Sequence, residues 1–179
     1  NSFIDWQKQD DFFKKLNLFV RIAPIDRIED YKEFFGKPNI HLEYGGKIKQ
    51  SDLAFRSGEK AQMDEEDLLN TKNTLKYSDV CISLFSTMSL EAFIFDKPVI
   101  NIGFIPKIED VANFYHYKPI IEGSAVKLAK NMEELKQYIK IYIENPKIDK
   151  ESRKKIVETM VEPTDGFSYK RNVDFIEKL

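Results

Sequence analysis

Ser86-Thr87-Met88-Ser89, followed by Glu91 at i+4 from Thr87, is the stretch whose residue types and spacing could do chemistry. The run before it, Val80-Cys81-Ile82-Ser83-Leu84-Phe85, is short, apolar and strand-like, and Met88 to Phe95 after it has the spacing of a helix. A strand that turns at once into a helix sets the first helical amides at the strand's carboxyl end, where ligands of open parallel sheets sit. The amides of Thr87, Met88 and Ser89 would face such a ligand, and the hydroxyls of Ser86, Thr87 and Ser89 add donors without charge. The helix dipole favours an anion there by roughly 0.3–2 kcal/mol, which suits a phosphate or diphosphate. Glu91 would repel a phosphate placed beside it. Its two oxygens suit the vicinal hydroxyls of a ribose instead, the task of the acidic residue in dinucleotide folds. Each residue also has a plainer reading: Ser or Thr caps a helix whether or not anything binds, and a first-turn Glu complements the dipole.

Other candidates are single residues. Arg21 lies near the end of the apolar run Leu16–Ala23, which Pro24 stops; it either contacts phosphate or pairs with a neighbouring carboxylate. His116, in Tyr115-His116-Tyr117, stands in a loop that could face a ligand or simply pack at the surface. Gly45-Gly46 follows a strand and either lets backbone approach a base or makes a turn. With two histidines and one cysteine, widely spaced, no metal-ligand cluster can be read, and neither a metal nor a resident cofactor is expected. Cys81 cannot form an internal disulfide; in its apolar run it reads as a small buried hydrophobe in a reducing compartment.

The elements that must position these residues follow from patterning. At 179 residues the length suits one domain. The 28 basic and 30 acidic residues nearly cancel, so the basic footprint of a nucleic-acid binder is absent. No apolar stretch approaches the roughly 20 residues of a membrane span, so no transmembrane segment is expected. Phe3 to Leu16 reads as an amphipathic helix, Leu16–Ala23 as a strand, and Asp26 as the cap of a short helix that Gly36 ends. Asn39–Tyr44 alternates as a strand, Asp64 begins a helix, and Val99-Ile100-Asn101-Ile102 is a strand after the turn Asp96-Lys97-Pro98. Leu135, Tyr138, Ile139, Tyr142 and Ile143 mark one helix face; a charged helix follows from about Lys150 and a short one runs to Leu179. Strands alternating with helices predict an α/β, Rossmann-like three-layer domain with a parallel sheet, spanning 1–179. The chain opens Asn1-Ser2-Phe3 with no initiator Met and reads as a domain excised from a larger enzyme.

The run Leu75 to Ala92, ending in Lys97-Pro98-Val99-Ile100, resembles the donor-binding core of GT-B glycosyltransferases. It is especially similar to bacterial enzymes of surface-polysaccharide (lipopolysaccharide and capsule) synthesis and to relatives of the CDP-glycerol glycerophosphotransferases. Asp165-Gly166 with Arg171 also looks like the family's C-terminal tail, so the resemblance spans about residues 16–176. It implies one half of a GT-B fold, the C-terminal nucleotide-sugar-binding half of a two-domain enzyme whose N-terminal acceptor domain is missing from this chain. The small-hydroxyl turn would hold the nucleotide diphosphate and the Glu of the S-x-x-x-E-A pattern the ribose; here these are Ser86, Thr87, Ser89 and Glu91. The implied reaction moves a sugar, or a polyol phosphate, from a nucleotide-activated donor to a glycan or lipid-linked acceptor. Binding without catalysis is expected of this half alone. The resemblance also implies a cytoplasmic place, with peripheral association at the inner face of the membrane. One departure stands out. Many relatives carry Arg-x-His-Pro at the end of the domain's first strand, where this chain reads Arg21-Ile22-Ala23-Pro24.

Two other functions fit the same pattern. A sugar-nucleotide 2-epimerase shares the architecture but should carry more acid/base carboxylates and histidines. A non-catalytic α/β interaction module would keep the fold, bind no nucleotide, and respond to changes at Ser86 or Glu91 only in stability.

Overall fold

In the computed structural model, residues 2–23, 26–44, 64–104, 115 and 117–178 are described. The chain divides into two compact units, Asn1–Thr74 and Leu75–Leu179, where the sequence reading takes 1–179 as one domain.

In the first unit the opening stretch forms two helices, α1 (Ser2–Gln9) and α2 (Asp11–Lys14), instead of the single helix expected. The break falls at Asp10, whose carboxylate accepts the Phe12 amide at 3.0 Å and so starts a new helix. Phe13 is fully buried among the rings of Phe3, Trp6 and Phe12. Strand β1 (Leu18–Ile22) pairs in parallel with β2 (Ile40–Tyr44), Leu18 opposite Ile40 and Arg21 opposite Glu43. Between them lies a 3-10 helix, Ile28–Phe34. Asp26 does not cap it: Arg27 holds that position without a side-chain bond, and the Asp26 carboxylate accepts the Tyr31 hydroxyl at 2.8 Å. Gly36 then turns the chain with φ 70°, a conformation that costs glycine nothing sterically. Helix α3 (Glu65–Tyr77) begins with a reciprocal cap: the Asp64 carboxylate accepts the Asp67 amide and the Asp67 carboxylate accepts the Asp64 amide.

The second unit holds a parallel sheet in the order β3 (Cys81–Ser83), β4 (Val99–Ile102), β5 (Val126–Ala129). Helix α4 (Met88–Ile94) links β3 to β4, and α5 (Lys118–Glu122) precedes β5. The chain finishes with α6 (Met132–Glu144), α7 (Lys150–Met160) and α8 (Ser168–Ile176). Val99, Ile100 and Asn101 are all fully buried. Successive strand residues point to opposite faces, so both faces of β4 are covered, as parallel strands require. Leu135, Ile139 and Tyr142 are the buried face of α6, at the spacing the sequence shows, and Asn131 caps it by accepting the Glu134 amide at 2.9 Å. Leu75, Phe85, Ala92, Phe93, Val99 and Ile156 belong to one core cluster.

The last turn of α4 is tied down by charge. Asp96, in left-handed backbone (φ 52°), receives two bonds from Arg153, at 3.2 and 2.9 Å. That guanidinium also donates to the carbonyls of Ile148 and Pro146. A bulky side chain would strain at such a φ, whereas Asp tolerates it. The result is a mixed α/β fold with short parallel sheets and many helices, compatible with a Rossmann-like domain.

Candidate functional site

The strand expected over 80–85 ends at Ser83, because Leu84 and Phe85 turn the chain into α4. Phe85 does so in the left-handed region, with φ 47°. For a bulky aromatic that conformation costs roughly 1–3 kcal/mol and persists only where the surroundings enforce it. Here they do: Phe85 is buried, and its ring meets that of Tyr117 edge-on at 5.1 Å.

Ser86 is half-buried and uses its hydroxyl as a cap, accepting the Met88 amide at 3.2 Å. Its carbonyl accepts the Ser89 amide at 2.9 Å. Two of the three amides expected to face a ligand are therefore engaged within the turn. Among the described residues the Thr87 amide makes no hydrogen bond, and the Thr87 side chain is exposed. Glu91 is exposed one turn further along.

Ser89 is corrected from ligand group to core. Its side chain is 0 % exposed, and its hydroxyl lies 2.6 Å from the Tyr117 hydroxyl. Ser89, Ala92 and Phe93 sit at i, i+3 and i+4 and share the buried face of α4. Arg21 takes the plainer of its two readings. It belongs to the first unit, where Nη1 meets Glu43 Oε2 at 2.7 Å and Nη2 donates to the Asp67 carbonyl at 3.3 Å. Gly45, Gly46 and His116 lie outside the described residues. The structure thus gathers Ser86, Thr87, Met88 and Glu91 on one turn, directs Ser89 inward and keeps Arg21 in the other unit.

Three residues that the sequence reading passes over complete this region. The Tyr117 hydroxyl is 3.1 Å from the Ser86 carbonyl, 2.6 Å from Ser89 Oγ and 3.5 Å from Asn101 Nδ2. Burial pushes the Tyr117 phenol above its ordinary value, against the opposing effect of the bonds with Ser89 and Asn101, so it is neutral at physiological pH. Asn101 is fully buried, and among the described residues its Oδ1 has no hydrogen-bond partner. Phe85 supplies the ring that Tyr117 packs against. Below the turn, burial first and the Glu91 charge second push the Cys81 thiol up to about 11.

Among the described residues no group of three His, Cys, Asp or Glu side chains could hold a metal ion, and no helix is long and apolar enough to cross a membrane. A cavity of about 160 Å³ lies in the first unit, lined by Phe3, Leu18, Val20, Phe34 and Leu42 among others. Its walls, apolar apart from Tyr31, lack the convergent polar groups that fix a nucleotide, and the candidate site stays the β3–α4 turn. Compared with known proteins, the chain matches no family model, no curated protein and no solved structure, so no relative supplies a function for this turn.

Proposed function

We propose that this chain is the donor-binding half of a GT-B-type glycosyltransferase that takes a nucleoside-diphosphate sugar, or a nucleotide-activated polyol phosphate. The observation that carries the reading is the β3–α4 turn, which presents the exposed Thr87 and the Ser86 hydroxyl where a parallel strand runs into a helix. The likeness of the Leu75–Ala92 run to the donor cores of that family supports it. The diphosphate meets the Thr87 amide and the hydroxyls of Ser86 and Thr87, and Glu91 accepts from the ribose diol. Such donors act by stabilising charge on the leaving diphosphate as it develops. The acceptor, a glycan or a lipid-linked glycan, is bound by a separate N-terminal acceptor domain, which also supplies the general base. The reaction runs in the cytoplasm, with the enzyme peripheral at the inner face of the membrane.

The test is calorimetric titration with UDP, CDP, GDP and ADP, alongside Thr87→Ala and Glu91→Ala. Saturable binding of one diphosphate, weakened in both folded variants, is the expected result. One observation favours a second reading, a non-catalytic α/β interaction module: the hydroxyls of Ser86 and Ser89 are both engaged within the protein. That reading expects no heat from any of the four nucleotides.

A further inference from the structure

We infer that Tyr117 is the positioning residue of the β3–α4 turn, holding Phe85 in its left-handed backbone and Ser86 in place beside it. The inference deepens the donor-binding reading, and rests on it for the ligand though not for the turn's geometry.

Proton bookkeeping assigns the direction of each bond. A carbonyl oxygen only accepts, so at the 3.1 Å contact Tyr117 donates its single proton to Ser86. With that proton committed, the 2.6 Å contact must run from Ser89 Oγ to Tyr117, and the long 3.5 Å contact from Asn101 Nδ2 to Tyr117. Tyr117 thus accepts from two buried donors and passes one bond to the turn. Neither donor has a route to water, because Ser89 and Asn101 are both 0 % exposed. This also explains why Asn101 presents its nitrogen, leaving Oδ1 without a partner among the described residues. With its one proton given to Ser86, Tyr117 has no hydrogen left to offer that oxygen.

Packing acts in the same direction as the hydrogen bonds. Phe85 holds φ 47° while its ring lies edge-on against Tyr117, and Ser86 is the next residue. A single side chain 1 % exposed therefore restrains both residues that set where Thr87 is presented. A tyrosine that served only as core filler would need its ring and not its hydroxyl.

Tyr117→Phe keeps the ring and removes the proton. Amide hydrogen exchange at Met88 and Ser89, read by NMR in the full chain, should quicken by about 2–12-fold, the worth of one ordinary hydrogen bond. The φ-dependent coupling of Phe85 should move with it. Ile139→Val, a trim elsewhere in the same unit, is the control and should leave both readouts in place. If Tyr117→Phe leaves the exchange and the coupling as in the wild type, the inference is overturned. Where that variant does not fold, the wild type decides: a Tyr117 hydroxyl proton that is slow to exchange and close to Ser86 upholds the inference, and one exchanging as in free tyrosine overturns it. Titration with the four nucleoside diphosphates separates the two ideas. A wild type that binds none defeats the donor reading, while the exchange data still judge Tyr117. A wild type that binds should bind less tightly in Tyr117→Phe by a similar factor.

Discussion

Replacing Asp96 by Asn tests whether charge, and not merely hydrogen bonding, closes the end of α4. Arg153 is 1 % exposed while Asp96 is 46 % exposed, so the pair is buried on one side only. Asn keeps an acceptor and tolerates the left-handed φ of 52°, so the substitution removes chiefly the negative charge. Removing one partner of a fully buried pair costs about 3–5 kcal/mol, and an exposed pair is worth about 0–1 kcal/mol. The carbonyls of Ile148 and Pro146, at 2.6 and 2.9 Å, still satisfy part of the guanidinium. We therefore expect a loss of about 2 kcal/mol, between those limits. In a domain of this size that lowers the melting temperature by about 4–8 °C. Urea denaturation followed by circular dichroism reads it as a lower midpoint at unchanged slope. Arg153→Met alone and combined with Asp96→Asn completes a double-mutant cycle, and the two changes should couple by more than about 0.5 kcal/mol. If Asp96→Asn stays within about 0.5 kcal/mol of the wild type and the double variant is additive, the carbonyls alone hold Arg153 and the reasoning is wrong.

Thr87→Ala should change stability by less than about 0.5 kcal/mol, since its exposed side chain makes no capping bond. Ser86→Ala should lose about 1 kcal/mol with its cap, and thermal melts of the two variants check the contrast. With its thiol pushed up to about 11, Cys81 should resist iodoacetamide at pH 7.5 in the folded chain and react once urea unfolds it, which mass spectrometry reads directly. Burial pushes the Asp96 carboxyl up, but the hydrogen bonds and charges of Lys150 and Arg153 outweigh it and hold the group below its ordinary value. A folded-state value below the unfolded one stabilises above the ordinary carboxylate range and is lost as pH falls through the folded value. The stability gap between wild type and Asp96→Asn should therefore be constant above about pH 5 and shrink below about pH 4.

Much of the second unit is legible in the sequence because its elements are the sort that local pattern specifies. Val99-Ile100 after Lys97-Pro98 can hardly be anything but a buried strand, and Leu135, Ile139 and Tyr142 at i, i+4 and i+7 mark the inward face of α6. The break at Asp10 is a choice between two helices and one, settled by a single carboxylate that prefers to cap. Ser89 was readable too. Spacing from Phe93 places it on the apolar face, but a first-turn hydroxyl has the same composition whether it points out or in. Arg21 is ambiguous in one dimension because its partner Glu43 comes from another strand. Nothing in the sequence near Tyr117 announces its contact with Ser89, 28 residues earlier. Long-range polar pairs leave no local periodicity, and those are the contacts that shape the turn.

Phe85 asks two things of one position. Its backbone would be at ease as glycine, while the core around it wants a ring. The strain, roughly 1–3 kcal/mol, is comparable to the 1.5–3 kcal/mol or so that burying a Phe side chain returns. The corner is therefore latched by the ring alone: it keeps its left-handed backbone only while Phe85 stays in the core. Phe85→Gly would relax the backbone and vacate the core together, turning the latched corner into a hinge. The same residue thus decides whether the loop end of β3 melts with its domain or moves independently of it.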